Sequence, residues 1–149
     1  RQNLPVLDRK EFASAEGVSK GAYVLNNVSQ PDVIIIATGS EVSLALDAAA
    51  LLAQESCQAR VISAPCLEWF ALQPDSYQED VLPKSCKARV SVEAGIAQGW
   101  REYVGDVGEI VSLNHFGASA AAPVLFEKFG FTAEKIADAA RRSIARSKS

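Results

Sequence analysis

The 149-residue chain is 48% hydrophobic and 22% charged with a formal net charge of -3, the balance of an ordinary soluble domain long enough for one core. No apolar stretch approaches the ~20 residues of a membrane span, no leader has the pattern of a signal peptide, and the basic residues form no aromatic-interleaved stripe, so neither a membrane nor a nucleic acid is the expected partner. Cys57, Cys66 and Cys86 are odd in number and widely spaced, as expected of reduced thiols in a cytoplasmic protein, and with His115 the sole histidine a zinc site is not expected.

The chain contains no methionine and opens on Arg1-Gln2-Asn3-Leu4-Pro5, so its beginning is expected to be cut from something longer. Residues 1–18 mix polar, charged and small side chains without periodicity. Pro5 and the run Asp8-Arg9-Lys10-Glu11 suit an exposed interdomain connector, which leaves 19–149 as the domain. Gly21-Ala22-Tyr23-Val24-Leu25 reads as a first strand. Too few residues separate it from the next strand for a crossover helix, so the two are antiparallel or not adjacent.

Val33-Ile34-Ile35-Ile36-Ala37 is apolar on both faces, the habit of a strand inside a parallel sheet. It ends at Thr38-Gly39-Ser40-Glu41, and a helix follows from Val42, with Ala45, Ala49 and Leu52 at helical spacing. Ala59–Ser63 is the next strand, stopped by Pro65. A short helix lies between Pro74 and Pro83. Ala88–Val92 and Glu109–Leu113 are further strands, separated by a helix that carries Trp100, Tyr103 and Val104 and stops at Gly105. Two helices close the chain. One runs from Pro123 to Phe129 and stops at Gly130. The other starts after Thr132 as N-cap, with Ile136, Ala140 and Ile144 along one stripe and Arg141, Arg142 and Arg146 near its end, where cations oppose the helix dipole favourably. This order predicts an α/β fold: a three-layer α/β/α sandwich around a mostly parallel sheet of about five strands, with Gly21–Leu25 as an antiparallel edge.

Candidate site residues fall at the carboxyl edge of that sheet, where open α/β folds place their ligands. Thr38, Ser40 and Glu41 could offer an anion a helix N-terminus. But Glu41 brings its own negative charge and no G-x-G-x-x-G or Walker pattern is present, so helix capping is the expectation. Glu93 ends its strand in the same edge and could equally pair with neighbouring N–H groups or cap the Trp100 helix. His115 follows the last strand as the one candidate general base, without a visible nucleophile. Arg1 offers planar, bidentate donors suited to phosphate, although a first residue is usually idle.

In order and across nearly the whole chain, these segments resemble the C-terminal domain of the transketolase family. The matching stretches are Arg1-Gln2-Asn3-Leu4-Pro5, Ile36-Ala37-Thr38-Gly39-Ser40-Glu41-Val42, Val81-Leu82-Pro83, Val92-Glu93-Ala94-Gly95, Phe116-Gly117-x-Ser119-Ala120 and Phe129-Gly130-Phe131-Thr132. The Thr38 turn alone also echoes the β subunits of 2-oxoacid dehydrogenases, whereas the opening and closing motifs are more particular to transketolase. Ala118 departs from the pattern, which commonly has Glu there.

The resemblance implies a homodimeric parent enzyme of the pentose phosphate pathway that moves a two-carbon ketol unit between ketose and aldose phosphates. It further implies that thiamine diphosphate and a divalent metal, magnesium or calcium, are held by the preceding catalytic domains of the same chain. The fragment itself is then expected to be inactive, with no catalytic residue, metal or cofactor, and to serve a structural, dimer-supporting or regulatory role. Arg1 is implied to contribute to the substrate phosphate site. The rival readings are an independent ligand-binding module at the cleft of Thr38, Ser40, Glu41, Glu93 and His115, and a packing module that presents Trp69, Phe70 and Trp100 to its neighbours.

Overall fold

The computed structural model describes residues 3–26 and 28–149. The elements in chain order are a 3-10 segment Ala15–Lys20, β1 (Tyr23–Val24), β2 (Val33–Ala37), α1 (Glu41–Gln54), β3 (Ala59–Ser63), α2 (Leu67–Ala71), α3 (Asp75–Val81), β4 (Arg89–Val92), α4 (Trp100–Val104), β5 (Glu109–Val111), α5 (Ala122–Phe129) and α6 (Ala133–Ser147). One five-stranded sheet has the order β1-β3-β2-β4-β5.

Strands β2, β3, β4 and β5 run parallel, and β1 pairs antiparallel to β3, Tyr23 opposite Ser63. The sandwich with an antiparallel edge is the one expected from sequence, and β1 is not adjacent to β2. β1 is only two residues long because Asn26 takes over its pairing. The Asn26 amide donates to the Ala59 carbonyl at 2.8 Å, and its oxygen accepts from the Val61 N–H at 2.7 Å.

Alternation along β2 divides the interior into two cores, since successive side chains of a strand point to opposite faces. Val33, Ile35 and Ala37 face α1 and α6 together with Val61, Val90, Val92 and Phe131. Ile34 and Ile36 face the other way, toward Phe70, Val81, Trp100 and Val104 from α2, α3 and α4. All five β2 residues are buried, which explains why the strand reads as an unbroken apolar run.

Several details depart from the sequence reading. Ser40 stands at the N-cap position of α1 but has helical φ and ψ and makes no capping bond. Its hydroxyl instead donates to the Glu41 carboxylate at 2.6 Å, so the expected cap is replaced by a side-chain pair. Helix α2 is absent from the sequence reading because five residues carry too little periodicity, and only Phe70 of them is buried. Strands β4 and β5 are shorter than expected, because Ala88, Ser112 and Leu113 fall outside them.

Thr132 does cap α6, its hydroxyl accepting from the Lys135 N–H at 3.3 Å, and Gly130 ends α5 in the left-handed region at φ 80°. The basic end of α6 is paired. Arg141 bridges Glu55 and Asp138, while Arg142 and Arg146 both hold Glu109. Of the three rings expected to face neighbours, Trp69 is 54% exposed, whereas Phe70 and Trp100 are buried.

Candidate functional site

The strand order reverses at β2, with β3 on one side and β4 on the other, and a crevice forms beyond the carboxyl ends of such strands. Thr38 directly follows β2, and Glu93 directly follows β4. The Thr38 hydroxyl donates to Glu93 Oε1 at 3.1 Å, and the Trp100 indole N–H donates to Oε2 at 2.9 Å. Gly99, at φ 87°, turns the chain into α4 and so delivers Trp100 to this point. Glu93 therefore binds an indole and a hydroxyl, and not the backbone N–H groups that the sequence suggested.

A cleft of about 540 Å³ opens beside this triad, and its lining includes Thr38, Cys66, Glu68, Glu93, Trp100 and Tyr103. The charged side chains of its lining, Glu68, Glu93 and Glu102, are all carboxylates. Burial pushes the Tyr103 hydroxyl above its ordinary pKa, and the charges of Glu102 and Glu68 add to the effect. The cleft offers acceptors and negative potential, and a phosphate entering it would be repelled.

The other expected residues are not gathered here. Ser40 lines troughs next to Leu4 and Pro5. Glu41 is buried beside it. His115 is exposed, its Nδ1 2.8 Å from the Phe116 carbonyl oxygen and its ring edge-on to Phe129. Arg1 lies outside the described residues. Thiamine diphosphate and its metal do not fit this cleft, because three carboxylates would face the diphosphate and no group of three metal-ligating side chains occurs among the described residues.

Sequence reasoning missed Arg60 and Arg89. Arg60 donates to the carbonyls of Val28, Ser29, Asp80 and Val81. Arg89 donates to those of Cys86, Tyr103, Leu82 and Pro83. Burial lowers the pKa of both guanidiniums. The signal was present: each follows an alanine and precedes a valine at the start of a strand, where a charge must find partners.

Residues 21–132 match the family described as the transketolase-like TK C-terminal domain. The chain is 53% identical to a transketolase of Mycobacterium tuberculosis, over 97% of this chain and 21% of the relative. It is 46% identical to the chloroplastic transketolase-1 of Arabidopsis thaliana, over 95% of this chain and 19% of the relative. A transketolase variant of Pichia stipitis solved with fructose 6-phosphate superposes with a TM-score of 0.90 at 42% identity, over 100% of this chain and 21% of that one. The chain thus spans about a fifth of the length of the curated relatives it matches.

Proposed function

We propose that this chain, which belongs to the transketolase-like C-terminal domain family, is the accessory domain of a ketol-transferring enzyme and carries no chemistry of its own. The observation that carries this reading is the 53% identity extending over 97% of the chain while covering 21% of the relative. The parent enzyme, on this reading, is a homodimer that uses thiamine diphosphate and a divalent metal held by its preceding domains. It works in the pentose phosphate pathway, in the cytoplasm, although the Arabidopsis relative carries a chloroplastic name. The domain's role is structural, dimer-supporting or regulatory. Arg1 belongs, in the same proposal, to the parent's substrate phosphate site.

The acidity of the carboxyl-edge cleft supports a division of labour in which a diphosphate is bound elsewhere. Calorimetric titration of this chain with thiamine diphosphate and magnesium tests it. No heat of binding is expected, and micromolar affinity would overturn the reading. A second reading, a regulatory ligand at Thr38 and Glu93, rests on the position of the cleft at the strand-order reversal. A thermal-shift screen of small metabolites separates the two, since a specific stabilisation lost in Glu93→Gln favours the second.

A further inference from the structure

We propose that Arg60 and Arg89 form a two-point latch on the crossover from β3 to β4, residues 65–87, and that its release lets this arm open as a unit ahead of the sheet. Both arginines sit opposite Ile34 in register, one on each neighbouring strand, so their side chains leave the same face of the sheet. They converge on four consecutive carbonyls at the end of α3. Arg60 takes Asp80 and Val81 at 2.8 and 3.2 Å, and Arg89 takes Leu82 and Pro83 at 3.3 and 2.9 Å. A cation at a helix C-terminus is favourably placed, and neither guanidinium has a carboxylate in salt-bridge range among the described residues.

Besides the latch, the crossover is tied by the Tyr77 hydroxyl and the Cys66 N–H, which donate to the Ala22 and Gly21 carbonyls at 2.9 Å each, but few of its side chains are buried. From Pro65 to Lys87 only Phe70, Val81 and Cys86 are buried, whereas Trp69 and Leu72 face solvent. Segments with few buried apolar side chains and polar tethers lie at the low end of local stability. The opposite core, closed by α1 and α6, includes no residue of the arm. The arm also supplies Cys66, Leu67, Glu68 and Ala71 to the carboxyl-edge cleft, so its opening would widen that cleft.

Cys86 is buried, 8% exposed, and its carbonyl is one of the Arg89 acceptors, which makes its thiol a reporter of the latch. In a Cys57→Ser, Cys66→Ser background, Arg89→Met is expected to speed Cys86 labelling by a thiol reagent about tenfold or more, and with or without that substitution Cys86 is exposed by a lower-energy opening than the amides of β2 and α6. Unchanged labelling, or Cys86 exposed only by the same opening that exposes the amides of β2 and α6, overturns the latch. Should the variant fail to fold, amide exchange of the unsubstituted chain in dilute urea decides. A weaker urea dependence for α2 and α3 than for β2 supports separate opening, and equal dependence overturns it.

Discussion

Glu93 accepts from two donors that are neutral and nearly fixed, and that arrangement defines what each substitution would cost. Glu93→Gln keeps the shape but has one acceptor and one donor. Its oxygen must serve the Trp100 indole, and its amide must turn to the Thr38 hydroxyl, which can accept. Glu93→Ala leaves the buried indole N–H without a partner, a loss of about 1–3 kcal/mol. We expect the alanine variant to lower the urea midpoint clearly more than the glutamine variant, and equal losses would detach Trp100 from Glu93. The opposite case is Ser91, fully buried with an unpartnered hydroxyl. Ser91→Ala removes a desolvated polar atom and leaves only a small void, so a gain of about 1 kcal/mol is expected in equilibrium unfolding. A loss would mean that the hydroxyl has a partner such as an internal water.

At the scale of elements, α6 is held to β5 by charge. Arg142 reaches Glu109 at 2.7 Å, and Arg146 joins the same carboxylate while donating to the Val107 and Gly108 carbonyls. Burial pushes the Glu109 carboxyl up, but hydrogen bonds from Arg142 and Arg146 outweigh it and hold the pKa below its ordinary value. A carboxyl depressed on folding contributes stability above its unfolded pKa of about 4.3 and loses it as pH falls through the folded value. Glu109→Gln should therefore flatten the acid limb of a stability-against-pH curve and leave its slope near neutrality alone. An unaltered acid limb in thermal unfolding would show the pair to be too solvated to matter. The elements themselves were largely legible. Strands such as Val33–Ala37 announce themselves because both faces are buried, and Thr132 and Gly130 mark the boundaries of α6 and α5 through side-chain oxygen and positive φ. Helix α2 was not legible, since tertiary contacts through Phe70 make it a helix and five residues cannot show a period.

For the molecule as a whole, the sheet edge could be read but the site upon it could not. Thr38 and Glu93 meet because parallel strands end at one edge, which strand order predicts. The Trp100 contact depends on the turn at Gly99, and His115, although it follows the last strand as expected, lies against Phe129 and away from the cleft, so neither placement followed from order alone. Arg1 poses the same difficulty at larger scale, since its proposed role requires domains outside this chain. If the guanidinium binds the substrate phosphate in the parent enzyme, it acts on binding more than on chemistry, because the phosphate lies away from the reacting carbons. Arg1→Ala in that enzyme should then raise KM for phosphorylated sugars about tenfold or more, with kcat little changed. Unphosphorylated sugars, which lack the anion, should show almost no change. Steady-state kinetics with both classes decides the matter: equal effects on the two would remove Arg1 from the phosphate site.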